Sequence, residues 1–180
     1  RALAKKLLDM NGDLDDTNFL ELVASYINIE DTKGEGLRTE IVSQTASRVS
    51  AIPSVRETLL AFQRTFSASP PKGKKGAILD GRDIGTVVCP AADVKIFVVA
   101  EIEIRAKRRL KELQKEAPGS IYADVLNGMI ERDARDQERT AAPLQPAEDA
   151  IILDTSTLSE DEVFRSALKI IYDKTKNNNS

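Results

Sequence analysis

The stretch from Ala77 to Val88, which reads AILDGRDIGTVV, carries the densest set of groups suited to chemistry. Three charged residues, Asp80, Arg82 and Asp83, follow a short apolar run at once. A buried strand that ends at a carboxylate and a glycine turn delivers polar groups to the carboxyl edge of a parallel sheet, where open α/β folds bind ligands. Two interpretations stay open from these residues alone: a ligand site, or a tight turn with an Asp–Arg pair on the surface.

A second charged stretch, Glu131 to Thr140, reads ERDARDQERT. Arg132, Asp136 and Arg139 fall at positions i, i+4 and i+7, so a helix would carry them on one face. They are either a solvated face with weak ion pairs or a clamp for a ligand. In a clamp, guanidinium groups would bind phosphate oxygens, and the aspartate would accept hydrogen bonds from sugar hydroxyls.

Two further sets are weaker. In SRVSAIPSVR, Ser47 and Arg56 flank a helix–helix corner and could read the edge of a base, although a surface serine and arginine fit the spacing equally. A basic cluster follows the second apolar run, and for most of its members a charged outer helix face is the simpler interpretation. Its members are Arg105, Lys107, Arg108 and Arg109.

Composition narrows the class of function. The 180 residues suit one domain with small appendages, and the net charge of −3 argues against a nucleic-acid binder that relies on a bulk basic field. A single cysteine, Cys89, rules out a disulfide within the chain and favours a reducing compartment. The absence of histidine removes His-based catalysis and His-ligated metals. Phosphoryl transfer fits this inventory, because its catalysis is largely positioning and charge neutralisation by Arg, Lys and Mg²⁺.

The elements that must position these groups alternate between strands and helices. Apolar runs predict strands at Ala77 to Leu79, Val94 to Ala100 and Ala150 to Leu153, which argues for a parallel sheet covered by helices on both faces. Three strands are too few for that architecture, so a further central strand is expected before Arg1. A Pro, Gly and Lys linker is predicted at Ser67 to Gly76.

Local signals mark several helix starts. The run from Asp15 to Thr17 can cap a helix, and Pro53 suits the first position of another. Ser159 followed by Glu162 is a capping-box pattern at the start of the last helix. The polar segment from Asn28 to Leu37 predicts a loop.

The order of motifs resembles that of the bacterial cytidylate kinases, a family of P-loop nucleoside monophosphate kinases. The likeness runs from Arg1 to about Ile171. It rests on SRVSAIPSVRETLLAFQRTF, AILDGRDIGTVVCPAADVKIFVVA, IRAKRRLKEL and ERDARDQERTAAPLQPAEDAIILDTSTLS. DGRDIGTVV with the following proline and VKIF is specific to that family, and ERDxRDxxR followed by APL is an independent match.

The resemblance implies an α/β fold with a P-loop NTPase-like parallel sheet, covered by helices on both faces. Residues 1–15 and 77–175 would form the core. Residues 16–76 would form a small, mostly helical NMP-binding insertion with its linker, and residues 116–140 a short lid within the core.

The resemblance also implies substrate-binding roles. Ser47, Arg56 and Asp83 are expected to contact cytosine, and Asp136 to take the ribose hydroxyls. Arg1 resembles the arginine that follows a tyrosine in the family and binds the CMP phosphate.

Catalytic and cofactor roles follow in the same way. Arg132 is expected near the acceptor phosphate, while Arg82 and Arg139 would hold the phosphates. Asp80 would help to organise Mg²⁺ indirectly, through water, as a Walker-B-like carboxylate. Arg108 resembles a lid-base arginine near the adenine of ATP.

The implied activity is transfer of the γ-phosphoryl group of ATP, with Mg²⁺, to CMP or dCMP in pyrimidine nucleotide metabolism. The chain contains no G-x-x-x-x-G-K-[ST] loop, which in the family cradles the ATP phosphates. We therefore expect a sequence that is incomplete at its start and inactive as it stands, in preference to an inactive remnant. The alternative function is a CMP-binding or regulatory protein without kinase activity. A P-loop kinase of another small metabolite is a third, weaker possibility.

The expected partners are CMP, dCMP and ATP, with no nucleic acid and no membrane. The enzyme would act in the cytoplasm. A monomer is expected because the sequence shows no outstanding exposed apolar stripe.

Overall fold

Apolar side chains at helical spacing build four α-helices in the described part of Arg1–Ile78, the first of two units into which the chain divides. The second unit is Leu79–Ser180. The structure is a computed structural model, and it describes residues 1–70, 72–138 and 142–177.

The first unit is helical. Its helices are α1 (Ala2–Asp9), α2 (Thr17–Ser25), α3 (Glu40–Val49) and α4 (Pro53–Ala68), with a short 3₁₀ helix at Glu30–Lys33 inside the predicted loop. Residues 16–70 and 72–76 contain no strand, in agreement with the mostly helical insertion expected there.

One apolar core holds these helices together. Leu7, Leu20 and Val55 are fully buried at its centre, and half-buried Phe19 and Phe62 pack against it. Burial of a Leu or Val side chain contributes about 1.5–3 kcal/mol, so these contacts outweigh the weak intrinsic propensities of short helices.

Two helix starts in this unit follow their sequence signals. Asp16 precedes α2 and accepts a hydrogen bond from the backbone N–H of Phe19 at 3.1 Å, and Pro53 begins α4. Both predictions are confirmed.

Asp31 fastens the 3₁₀ helix to α1. Its carboxylate accepts a hydrogen bond from the backbone N–H of Asn28 at 2.9 Å and lies 3.3 Å from the ammonium of Lys6. The hydrogen bond from Asn28, with a smaller contribution from Lys6, lowers the pKa of Asp31 below its ordinary value. A carboxyl whose pKa is lower in the folded state contributes stability above its unfolded pKa. That contribution is lost as the pH falls through the folded pKa.

We expect Asp31→Ala to lower the free energy of unfolding by about 1 kcal/mol at pH 7, because a charge-assisted hydrogen bond and an ion pair are lost. The difference from the unsubstituted protein should begin to shrink below about pH 4, where the unfolded carboxyl becomes protonated, and shrink further as the pH falls through the lower pKa of the native carboxyl. Urea denaturation followed by far-UV circular dichroism at pH 7 and pH 3 measures both effects. Glu35→Ala, at an exposed position nearby, is the control. Equal destabilisation at both pH values would contradict the assignment.

In the residues that the structure describes, the second unit combines a small parallel sheet with three long helices. The strands β1 (Ile96–Val99) and β2 (Ile151–Asp154) pair in parallel, with Ile96 opposite Ile151. The helices are α5 (Ile102–Glu116), α6 (Tyr122–Glu138) and α7 (Glu160–Asn177), and a π-helical turn occupies Ile84–Val88. The parallel pairing of the second and third predicted strands is confirmed.

The strand predicted at Ala77 to Leu79 is wrong for this structure. The segment is extended but pairs with no strand among the described residues, and Ile78 is 90% exposed. A strand needs a neighbour to take its N–H and C=O groups, and apolar composition alone does not supply one.

Apolar side chains are exposed on the sheet and on α7. Val98 and Ile152 lie on opposite faces of the sheet and are 58% and 53% exposed. Coverage of the sheet on both faces therefore stays a prediction. On α7, Phe164, Leu168 and Tyr172 share one exposed face, so the expectation that no apolar stripe is exposed is wrong for this helix.

None of the helices in the described ranges combines the length and apolar character needed to cross a bilayer.

Candidate active site

The turn at Asp80 to Asp83 leads directly into the π-helical turn, which fixes its geometry. The carbonyl of Asp83 accepts hydrogen bonds from the backbone N–H groups of Val87 and Val88 at 2.9 and 3.2 Å. The N–H of Cys89 donates to the carbonyl of Ile84 at 2.7 Å. π-Helical turns are rare and occur frequently at functional sites, because the wide turn redirects neighbouring side chains. Here the turn sets the backbone that carries Arg82 and Asp83.

A glycine permits close packing beneath this turn. A Cβ added at Gly85 would lie 3.3 Å from Cδ of Lys95, so the lysine stem passes directly below the backbone. The Lys95 side chain is only 8% exposed. Its ammonium donates to the carbonyl of Pro90 at 2.5 Å and to Asp149 Oδ1 at 2.8 Å, and it lowers the pKa of Asp149. Lys95 thus joins the loop that carries the DGRD turn to the loop that precedes β2.

Asp136 brings together two of the arginines singled out from the sequence. Arg82 Nε lies 3.2 Å from Asp136 Oδ2, across 54 positions in the chain. Arg132 Nε lies 3.8 Å from the same oxygen, one helical turn away on α6. The two charged motifs therefore meet at one carboxylate, and the ligand-clamp interpretation stays a prediction. The i,i+4 ion pair of the alternative interpretation is present too, but it does not account for Arg82.

The three side chains of this cluster differ in their exposure to solvent. The Asp136 side chain is 14% exposed, whereas Arg82 and Arg132 are 40% and 33% exposed. The carboxylate is thus the least exposed of the three groups. Arg82 uses Nε for this contact, and its terminal amino groups reach no acceptor within the described part of the chain. Guanidinium groups of this kind suit phosphate oxygens, which they bind through paired N–H donors.

The C-terminal end of α6 is held by a backbone hydrogen bond. The N–H of Leu144 donates to the carbonyl of Asp136 at 2.8 Å, so Leu144 lies against the last turns of the helix. Arg139, expected to hold phosphates, lies outside the described residues.

At the carboxyl edge of the sheet, the ends of β1 and β2 are linked by side chains that were not predicted from the sequence. Thr155 is buried directly after β2, and its hydroxyl donates to the carbonyl of Val99 at 3.1 Å. The Ser156 hydroxyl accepts a hydrogen bond from the N–H of Glu101 at 3.0 Å and donates to Asp154 Oδ1 at 2.7 Å. The hydrogen bonds from Ser156 lower the pKa of Asp154. The sequence signal that could have identified these residues is the pair of hydroxyl residues, Thr155 and Ser156, directly after Asp154 at the end of the strand.

Arg108, expected near adenine, lies at this edge. Its guanidinium donates to the Thr155 hydroxyl and carbonyl and to the carbonyl of Leu158, at 3.1, 2.5 and 3.1 Å. It therefore braces the loop between β2 and α7, at the sheet edge where ligands of parallel sheets bind.

Asp80 is exposed and follows an unpaired segment. In the described part of the chain, no three or more His, Cys, Asp or Glu side chains lie close enough together to hold a metal ion. Within that part of the chain, Asp80 therefore does not belong to a cluster of protein ligands that could surround a metal ion. Asp80 does fit Mg²⁺ that is held mainly by phosphates and waters with a carboxylate nearby, which is the usual arrangement in phosphoryl transfer.

The remaining predicted residues lie in the first unit. Arg1 is exposed and donates from a terminal nitrogen to the carbonyl of Leu37 at 3.3 Å. Ser47 is half-buried on α3, and its carbonyl accepts a hydrogen bond from the Ser50 hydroxyl at 3.2 Å. Arg56 is half-buried in the first turn of α4. Ser47 and Arg56 thus flank the α3–α4 turn, as predicted.

Comparison with known proteins agrees with the motif order. The family model described as cytidylate kinase matches residues 4–173. A cytidylate kinase of Paramagnetospirillum magneticum is 52% identical over 97% of this chain and 82% of its own length. Those of Afipia carboxidovorans and Rhodopseudomonas palustris are 48% and 46% identical, over 80% and 79% of their lengths. The chain belongs to the cytidylate kinase family.

Proposed function

We propose that the intact protein transfers the γ-phosphoryl group of ATP to CMP and dCMP, giving CDP and dCDP. The observation that carries this proposal is the meeting of Arg82 and Arg132 at Asp136, in a family whose members are cytidylate kinases. The acceptor is named from the relatives, and the chemistry is supported by the site.

The cluster suits the electrostatics of phosphoryl transfer. Little covalent work is left to the protein, since the transferred group passes in line between two oxygens and its charge must be stabilised. Arg82 and Arg132 are positioned by a shared carboxylate, so little reorganisation is needed when charge develops. Asp136 can also accept hydrogen bonds from the ribose hydroxyls.

We infer further ligand contacts from the family likeness. Ser47, Arg56 and Asp83 would contact cytosine, and Arg1 would bind the CMP phosphate. Arg139 would join Arg82 and Arg132 on the phosphates.

ATP with Mg²⁺ is the proposed phosphoryl donor. When bound, Mg²⁺ would supply neutralisation of the phosphate charge, and Asp80 would help to hold it through water. Arg108 would lie near the adenine through the loop that it braces.

The architecture proposed with this function is a P-loop NTPase-like core of residues 1–15 and 77–175. Residues 16–76 would be the NMP-binding insertion and residues 116–140 the lid. The parallel pairing of β1 and β2 supports the core, and the helical content of residues 16–70 supports the insertion.

We also propose a cytoplasmic monomer that acts on nucleotides rather than on nucleic acid or membranes. The single cysteine supports a reducing compartment, and the net charge of −3 argues against nucleic acid as a partner. The exposed apolar face of α7 removes the sequence argument for a monomer, so sedimentation of the intact protein decides the oligomeric state.

A coupled assay of the intact protein with CMP, dCMP, UMP and AMP as acceptors tests the function. We expect CMP to give the highest kcat/KM, with UMP and AMP clearly lower. A preference for UMP or AMP would contradict the specificity.

A CMP-binding protein without kinase activity is not favoured, because the relatives are named as kinases. Calorimetry on this 180-residue chain separates binding from transfer. Of the two hypotheses, only the CMP-binding protein predicts that CMP binds while the intact protein shows no turnover.

A further inference from the structure

Arg105 belongs to the basic cluster that follows β1, but the proposed function assigns it no role. It joins the end of β1 to α6. Its Nε donates to the carbonyl of Ala100 at 3.0 Å, and a terminal nitrogen lies 2.7 Å from Asp133 Oδ2. The Arg105 and Asp133 side chains are 34% and 25% exposed. Arg105 therefore lies in a contact between elements, whereas a solvated outer helix face would leave it in water.

The place of this contact in the fold gives it a functional meaning. Helices α5 and α6 form a hairpin whose connection is the short segment 117–121. Arg105 is near the start of α5 and Asp133 near the end of α6, so the ion pair closes the open end of the hairpin. That end lies beside the carboxyl edge of the sheet, where Ala100 follows β1.

Asp133 belongs to the same stretch of α6 that carries the active-site candidates. Arg132 is its immediate neighbour, and Asp136 follows one helical turn later. Because a helix is stiff over one turn, a contact that fixes Asp133 also fixes the placement of Arg132 and Asp136. Asp136 in turn meets Arg82.

The guanidinium geometry favours a positional role. Arg105 binds a carbonyl and a carboxylate at once from one planar group, so its orientation is fixed at both ends. A lysine ammonium on a flexible stem would keep the charge without this fork. Ion pairs that are about one-third exposed contribute little to global stability, so the fold does not depend on this one.

We propose that Arg105 is a positioning residue for phosphoryl transfer, which fastens α6 to the end of β1 so that Arg132 and Asp136 meet Arg82. This inference rests on the proposed function, and it assigns Arg105 no contact with substrate.

The test compares Arg105→Met, Asp133→Asn and the double variant in the intact protein. We expect each single variant to lower kcat about tenfold, because displacement of catalytic groups by a fraction of an ångström has effects of this order or greater. KM for ATP should stay within about twofold. The double variant should lose no more than the worse single variant, since both substitutions break one contact. Lys111→Met, at an exposed cation on the same helix, is the matched control and should leave kcat unchanged.

Arg105→Lys tests the fork with the charge retained. Recovery of less than a third of the lost kcat supports positioning by the planar group, and full recovery would overturn the geometric part of the proposal. This variant and Asp133→Asn also keep the test open if Arg105→Met does not fold. Single variants with unchanged kcat, or losses that multiply in the double variant, overturn the proposal.

Amide hydrogen exchange gives a second measurement that does not depend on turnover. Arg105→Met should accelerate exchange in residues 128–138 and leave the peptides of α1 and α2 unchanged. Unchanged exchange in residues 128–138 would refute the fastening of α6. If the unsubstituted protein does not phosphorylate CMP, the proposed function fails, and the exchange result still decides whether Arg105 holds α6.

Discussion

Asp136→Ala is expected to lower kcat for CMP about 100-fold. The substitution removes the carboxylate that Arg82 and Arg132 share and leaves two guanidinium groups facing each other across the vacated space. Arg82 and Arg132 are 40% and 33% exposed, so loss of their ion pairs costs the fold only about 1 kcal/mol, and the main effect is displacement of the two arginines. The proposed acceptor for the ribose hydroxyls is lost at the same time, so KM for CMP should rise as well.

Steady-state kinetics of the intact protein, with thermal melting alongside, measures the effect of Asp136→Ala. Asp136→Asn separates charge from shape, because the amide retains an acceptor oxygen but not the negative charge. We expect it to recover only a small part of the lost rate. Asp124→Ala, at an exposed carboxylate in the first turn of the same helix, is the control. If Asp136→Ala retained more than a third of the original kcat, the cluster would not be catalytic.

The local features of this fold were readable from the sequence because their causes are local. Ser159 and Glu162 cap α7 reciprocally: the Ser159 N–H donates to Glu162 Oε2 at 2.8 Å, and the Glu162 N–H donates to the Ser159 hydroxyl at 3.4 Å. The hydrogen bonds from Ser159 also lower the pKa of Glu162. Both partners lie within three residues, so residue type and spacing determine the contact.

Strand pairing depends on distant parts of the chain, and the sequence reasoning succeeded only where a partner exists. Two apolar runs that end near Val99 and Asp154 pair in parallel. The run at Ala77 to Leu79 has similar composition but no pairing partner in the described residues, and Ile78 remains exposed. Apolar composition indicates that a segment can be buried. A strand also requires an adjacent strand that takes its backbone hydrogen bonds.

The candidate site divides in the same way. Arg132 and Asp136 were predicted to share a helix face, and the helical period was sufficient to show it. The contact of Arg82 with Asp136 spans 54 positions and was not predicted, since the family resemblance implied only that both residues bind the same nucleotide. Lys95 and Arg105 were missed as connecting residues because their partners, Asp149 and Asp133, are distant in sequence and carry no local signal.

Arg82→Ala is expected to have the largest effect, a loss of about 10³ in kcat for CMP, with little change in melting temperature. An arginine that neutralises charge in a phosphoryl-transfer transition state contributes about 10³–10⁵ to the rate. The Arg82 side chain is 40% exposed, so its ion pair with Asp136 adds at most about 1 kcal/mol to stability. Kinetics and thermal melting of the intact protein should therefore separate, with activity lost and the fold retained.

Arg82→Lys sharpens this prediction, because it keeps the charge and removes the fork. Arg82 contacts Asp136 through Nε, so its terminal amino groups are the ones placed to reach a phosphate. A lysine has no Nε to hold Asp136 while its ammonium binds the ligand, so it must give up one of the two contacts. We expect Arg82→Lys to recover less than a tenth of the original kcat, and Arg165→Ala, at an exposed arginine on α7, to match the unsubstituted protein. Full activity in Arg82→Lys would show that Arg82 acts as a diffuse positive charge, and the role of Asp136 in directing it would be lost.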